Sequence, residues 1–294
     1  MTLGLYIQVP FCQTKCTYCN FHTGPFSRTL YDPYVLALCR EISDYSALAR
    51  SAGLTGCHSE PVQAGEESWC FFDTLYIGGG TPSLLDPAAL ARILDAVRSS
   101  FRLGSASGPP ALGLAEITLE ADPETITAEK AAAWLAAGIN RISLGSQSFN
   151  DAELRAAGRL HRCADIFAAN ETLRAAGFRN ISFDLIAGLP LQTAVSWRDS
   201  LDQLLTLAPE HISIYMMEID EGSRLGREVL AGGSRYSASA LPDDDSVASF
   251  YDLACSLLFS SGYDHYEISN WARCNAADPS TNRQGTAEDR KSVV

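Results

Sequence analysis

No fourth cysteine stands near Cys12, Cys16 and Cys19; the next one in the chain is Cys39. Positive charge is also scarce, with 22 Lys and Arg against 35 Asp and Glu and a formal charge of −13. The cationic surplus that phosphate backbones require is absent, so nucleic acid is not expected as a partner. No apolar run is long enough to span a bilayer. Residues 3–9 are largely apolar but have no basic segment before them and no small-residue cleavage site after them, so no secretory leader is read and a reducing cytoplasm is the expected location. Nine cysteines at irregular spacing in 294 residues do not form the dense framework of a disulfide-stapled domain. Gly78-Gly79-Gly80 runs into Thr81-Pro82 without a following Gly-Lys-Ser/Thr, which excludes a phosphate-binding P-loop.

Hydrophobic residues make up 46% of the chain, enough for one large α/β domain or two small ones. Short β-branched runs at 5–9, 74–77, 116–119, 141–144, 181–186 and 211–215 read as strands. Segments of helical period lie between and after them, near 31–49, 87–101, 127–137, 162–176, 194–207 and 243–261. Strand then helix, repeated about six times, predicts a parallel sheet with crossover helices. Asp86-Pro87 reads as an N-cap with proline at the first helical position, Thr127 precedes Glu129 and an Ala-rich run, and Gly138 and Gly177 stand where helix C-caps belong. Residues 52–70 are polar and read as a surface insertion, and 104–113 as a Gly/Ser/Pro loop.

Working residues of parallel α/β folds lie at the carboxyl ends of strands. The cysteine loop follows the first strand, Gly78-Gly79-Gly80-Thr81-Pro82 the second, and Glu120 and Asp122 end the third. Gln147 follows the fourth, and Asp184 lies in the fifth, ahead of Gly188-Leu189-Pro190. Structural zinc and conventional 4Fe-4S clusters each take four protein ligands, so three thiols leave one metal position open for a chelating molecule. A zinc site completed by His22, or three unligated thiols, are the alternatives at this point. Lys15 and Arg28 either offset the charge of a thiolate-ligated cluster or are solvated. His161, His211 and His265 are assigned no chemistry.

The spacing Cys12-x-x-x-Cys16-x-x-Cys19 resembles the signature of the radical S-adenosylmethionine (SAM) superfamily. "YIQVPFCQTKCTYCNF" is similar to the branch that contains oxygen-independent coproporphyrinogen III oxidase and the HemW-type heme chaperones. The likeness continues through "YIGGGTPSLL" (76–85), "EITLEADPETI" (116–126), "GINRISLGSQSFND" (138–151), "GRLHR" (158–162), "FDLIAGLPLQT" (183–193), "HISIYMMEI" (211–219) and "HYEISNWAR" (265–273). It implies a partial (β/α)6 TIM-like barrel over residues 1–273. It implies a 4Fe-4S cluster on Cys12, Cys16 and Cys19 whose open iron is chelated by SAM, and SAM contacts from Tyr6, Tyr18, Gly79, Gly80, Thr81, Glu120, Gln147, Arg159 and Asp184. Cluster and SAM would carry the chemistry, with no separate catalytic side chain assigned.

Within that branch the oxidase carries an additional cysteine two residues after the third cluster ligand; here that position is Phe21. The oxidase also has a longer stretch ahead of the cluster. Both departures favour a heme chaperone that binds heme as cargo and passes it to an acceptor protein, with an electron donor such as a flavodoxin or ferredoxin, and a dimer among the assemblies allowed. SAM-dependent decarboxylation of coproporphyrinogen III to protoporphyrinogen IX is the enzymatic alternative, and a non-catalytic cluster- or heme-binding module is the third. After Arg273 the family continues into a heme-linked His-Asn-x-x-Tyr-Trp motif and a C-terminal domain, whereas residues 274–294 are polar, without hydrophobic period, and are expected to be disordered or foreign. Asp289-Arg290-Lys291-Ser292-Val293-Val294 is what GAT CGG AAG AGC GTC GTG encodes, a string that looks like a sequencing-library adapter. The expectation is a truncated reading frame lacking the C-terminal domain.

Overall fold

The computed structural model describes residues 4–51, 71–103 and 115–274. The insertion 52–70, the loop 104–113 and the tail from 275 onward lie outside the described residues.

Six strands, β1 (Gly4–Val9), β2 (Thr74–Gly79), β3 (Glu116–Ala121), β4 (Arg141–Gln147), β5 (Ile181–Ala187) and β6 (His211–Met216), pair in chain order and in parallel. A hairpin of β7 (Tyr263–Glu267) and β8 (Asn270–Arg273) closes the far side, with β8 antiparallel to β6. β1 and β7 are the two ends of the sheet, so the barrel is open between them. The helices are α1 (Tyr31–Ser51), α2 (Pro87–Ser100), α3 (Ala128–Ala136), α4 (Asp151–Ala156), α5 (Cys163–Ala176), α6 (Ala194–Leu207), α7 (Arg224–Leu230) and α8 (Asp244–Ser260). This is the α/β architecture that the alternating pattern predicts, a partial TIM-like barrel of six β/α units.

Local chemistry explains most boundaries. Thr127 caps α3 by accepting the Lys130 N–H at 3.2 Å, and Thr193 accepts the Ser196 N–H at the start of α6. Gly177 and Gly138 end α5 and α3 at φ of 110° and 95°, the left-handed conformation that a side chain disfavours. Asp86 differs from expectation: it occupies the N-cap of α2 but its carboxylate makes no capping bond, and Pro87 marks the start instead.

The register sorts the strands into rows. Ile7, Ile77, Leu119, Ile142 and Ile181 stand side by side, as do Leu144, Phe183, Ile212 and Trp271. These rows are buried against Leu90, Ile93, Val97, Trp134, Leu173, Trp197, Leu201 and Phe250 of the helices in one continuous core. A fully buried aliphatic or aromatic side chain contributes roughly 1.5–3 kcal/mol, so this outer face holds the fold together. The alternate rows are polar: Tyr6, Tyr76, Thr118 and Arg141; then Glu120, Ser143, Ser182 and His211; then Asp184, Ser213 and Asn270. A strand period of two puts them all on the opposite, inward face.

Candidate functional site

The cysteine loop leaves β1 at its carboxyl end and is stitched to its neighbours through the backbone. Cys12 N–H donates to Gly24 O at 2.9 Å, and Gly80 N–H and Thr81 N–H donate to Val9 O and Phe11 O, each at 2.7 Å. Gly80 has no room for a side chain: a Cβ there would lie 2.5 Å from Phe11 O and 3.0 Å from Cys12 Sγ. The triple-glycine turn is therefore the floor of the cysteine loop, and its lack of side chains permits the close approach. Cys12, Cys16 and Cys19 are half-buried free thiols, and burial pushes the Cys12 thiol up.

Arg159 joins the loop to the ends of β3 and β4. Its guanidinium reaches Cys16 Sγ at 3.5 Å, donates to Gly145 O at 2.8 Å and pairs with Asp122, which in turn accepts the Thr81 hydroxyl at 3.0 Å. Glu120 accepts the Tyr76 hydroxyl and the Gly79 N–H, both at 2.9 Å. Asp184 accepts the Ser143 hydroxyl at 3.1 Å. Burial, and then the negative charge of Asp184, push the Glu120 carboxyl up to about 7. Burial likewise raises Asp184 to about 6, against the pull of Arg141. Tyr6 stacks on Tyr76 with ring centroids 5.8 Å apart, on the same inner row. Gln147 sits at φ 65°, where the register between β4 and β5 shifts, so a bulge re-aims it away from the regular pleat. Tyr18 packs beside the loop, against Ala157, Ile186 and Leu189.

The structure thus joins Cys12, Cys16, Gly79, Gly80, Thr81, Glu120, Arg159 and, through Asp122, the ends of three strands into one bonded assembly. Asp184 and Gln147 stand on adjoining strands of the same barrel end. Among the described residues no three His, Cys, Asp or Glu side chains converge tightly enough to hold a single metal ion. A cubane accepts each thiolate at a different iron, so its ligands stand farther apart than those of one zinc, and His22 is exposed. The glycine floor beneath Cys12 and the cationic Arg159 beside Cys16 fit a thiolate-held cluster, and the buried carboxylates with their donors fit a polar ligand above it.

The radical SAM superfamily model matches residues 62–204, a stretch that begins after the cysteine loop. The heme chaperone HemW of Escherichia coli is 33% identical over 92% of this chain, and that of Synechocystis is 36% identical over 93%. The chain spans 63% and 60% of those two proteins. The solved structure of coproporphyrinogen III oxidase (HemN) from E. coli, described as a radical SAM enzyme, superposes with a TM-score of 0.73 at 27% identity, over 92% of this chain and 56% of that one. These likenesses are to the radical SAM superfamily. That family implies a 4Fe-4S cluster and SAM.

Two members of this site were not singled out from sequence. They are Tyr76 and Ser143, which orient the two carboxylates, while Asp122, already read as a strand-end carboxylate, proves to be the partner of Arg159. Their signal was the polar-apolar alternation within each strand, since a lone tyrosine or serine in a β-run carries none. The three histidines find structural partners. His161 lies 3.1 Å from Ser146 O and 3.3 Å from Glu124, His211 bridges Ser182 and Tyr266, and His265 stacks on Trp271 at 4.3 Å.

Proposed function

We propose that this chain is the radical SAM core of a heme chaperone, with Cys12, Cys16 and Cys19 holding a 4Fe-4S cluster and the polar barrel end holding SAM. The observation that carries the reading is the match to heme chaperones across more than nine-tenths of the chain. Phe21 points the same way. Its side chain offers no thiol where the oxidase branch has one, and it is 66% exposed beside the loop.

The bound cluster and SAM together supply one-electron cleavage of a carbon-sulfur bond. The chain's own residues bind and orient. Glu120 and Asp184, each fixed by hydroxyl or amide donors, present lone pairs to hydroxyl or amine hydrogens of SAM. Arg159, already committed to Asp122 and Cys16, supplies cationic charge for a carboxylate. Gly79 and Gly80 let backbone approach the ligand, while Tyr6, Tyr18, Thr81 and Gln147 complete the wall. Heme is read as cargo and its acceptor as another protein. A one-electron donor protein, a dimer and a cytoplasmic location belong to the same proposal.

The test is anaerobic reconstitution with iron and sulfide, EPR of the reduced chain with and without SAM, and then heme titration and transfer to an apo-acceptor. A 4Fe-4S signal that shifts with SAM and is absent from Cys16→Ala, with coproporphyrinogen III left unconsumed, is the expected result; heme transfer is expected only from a form that also carries the heme-linked motif. Decarboxylation of coproporphyrinogen III by the same preparation would replace this reading with the oxidase one.

A further inference from the structure

The cysteine loop is held from two sides, and only one of them belongs to the assembly described above. On that side Thr17, between the second and third cysteines, donates its N–H to Ala157 O at 2.9 Å and its hydroxyl to Ala156 O at 3.2 Å. On the other side a segment between β6 and α8 reaches over the loop. Leu225 N–H donates to Thr17 O at 2.8 Å, the Arg224 guanidinium donates to Lys15 O, and Asn20 donates its side-chain amide to Asp220 at 3.0 Å. Thr17 is therefore bonded through both its N–H and its C=O to other elements, as a residue inside a sheet would be, and is 3% exposed. Arg224 lies over the Tyr236 ring at 5.4 Å, and its Nε is buried without a partner. Leaving a buried guanidinium N–H unpaired is costly, so the orientation must be held by the Lys15 carbonyl and the ring. Ser223 accepts the Gly226 N–H at 2.8 Å and starts α7 at the point that delivers Arg224 and Leu225 to the loop.

We propose that residues 220–225 form a clasp that fixes the cysteine loop before any cluster is bound, with Arg224 as its positioning residue. Two backbone carbonyls, those of Lys15 and Thr17, flank Cys16, and the clasp bonds both of them. It thereby sets the spacing of the three thiols from the side opposite Arg159. The purpose assigned to the clasp rests on the cluster reading, but its existence is testable in the cluster-free chain and survives if heme transfer fails.

The experiment is pulse alkylation of the reduced, cluster-free full chain with iodoacetamide, read at each cysteine by mass spectrometry. Cys39, Cys163 and Cys255, which lie outside the loop, serve as internal references. In Arg224→Ala, labelling of Cys12, Cys16 and Cys19 should rise about tenfold, as local opening replaces a fixed loop, while the reference cysteines stay within about twofold. Arg227→Ala, on the same helix but exposed, should leave all six unchanged. Asp220→Ala removes a surface contact with little risk to folding and should raise Cys19 labelling by about threefold, through Asn20. A uniform rise at all six cysteines in Arg224→Ala, or no change at the loop cysteines in either Arg224→Ala or Asp220→Ala, would overturn the proposal.

Discussion

The two faces of the same six strands do different work. The outer face is a continuous apolar surface packed by helices, and the inner face is a ladder of hydroxyls, carboxylates and a buried arginine. A TIM barrel filled by branched side chains is a core on both faces. Here the inner face is satisfied by hydrogen bonds instead, so stability is concentrated outside and the inside is left free to meet a ligand.

The strongest way to break that comparison is to set a truncation in the outer core beside the loss of one hydroxyl on the inner face. Trp197 on α6 is fully buried and donates its indole N–H to Phe250 O at 2.7 Å. Trp197→Ala should cost about 3–5 kcal/mol in urea unfolding. Tyr76→Phe on the inner row removes only the hydroxyl bonded to Glu120 and should cost about 1 kcal/mol. Equal losses would show that the inner face is also a stabilising core.

The second prediction concerns charge. Glu120 and Asp184 are held at about 7 and about 6, against ordinary values of 4.5 and 3.8. Both bind protons more tightly folded than unfolded, so stability falls as pH rises through 3.8 to about 6 for Asp184 and through 4.5 to about 7 for Glu120. Above that window the penalty is complete, up to about 3 kcal/mol each. Unfolding free energies of the cluster-free chain from pH 5 to 8 should decline less steeply in Asp184→Asn, which also lowers Glu120 by removing its negative neighbour. The same variant should bind SAM more weakly after reconstitution. A slope unchanged by Asp184→Asn would mean that Asp184 is not held in the charged state at a cost.

A third change sits where the two faces meet the loop. Gly80→Ala places a methyl against Phe11 O and Cys12 Sγ, so the loop must lift. We expect a loss of about 1–3 kcal/mol, as for other overpacked sites, together with reduced iron per chain after reconstitution. Full iron retention would show that the glycine floor does not set the cysteine position.

How much of this was legible follows from the period of each segment. The strand at 211–215 and the helix at 194–207 match β6 and α6 to within a residue, because a β-branched run and a helical stripe each bury one face. The hairpin of β7 and β8 was met only as the motif "HYEISNWAR". Its strands are short, and β7 is half exposed, so the pattern is weak. α7 lies in a Gly/Ser-rich stretch to which no element is assigned from sequence, and its start depends on Ser223 capping Gly226. The site residues were legible as strand-end positions within a family motif. Their partners Tyr76 and Ser143 depend on register across strands, which no single segment contains, and Asp122 was legible as a strand end but not as the partner of Arg159.

The smallest effect separates the two faces at one residue. Gln147 holds a left-handed backbone, φ 65°, at the bulge where β4 leaves the sheet. Such a conformation costs a non-glycine residue about 1 kcal/mol, and glycine adopts it freely. Gln147→Gly should therefore stabilise the cluster-free chain slightly, by up to about 1 kcal/mol less the added entropy of the unfolded chain, while weakening SAM binding in the reconstituted protein. Thermal unfolding of the first and equilibrium dialysis of the second give the two readouts. Stability and SAM affinity moving in opposite directions would identify Gln147 as a residue whose backbone strain is retained for its ligand; both falling together would place Gln147 with the outer-face residues, where structure and function cannot be separated.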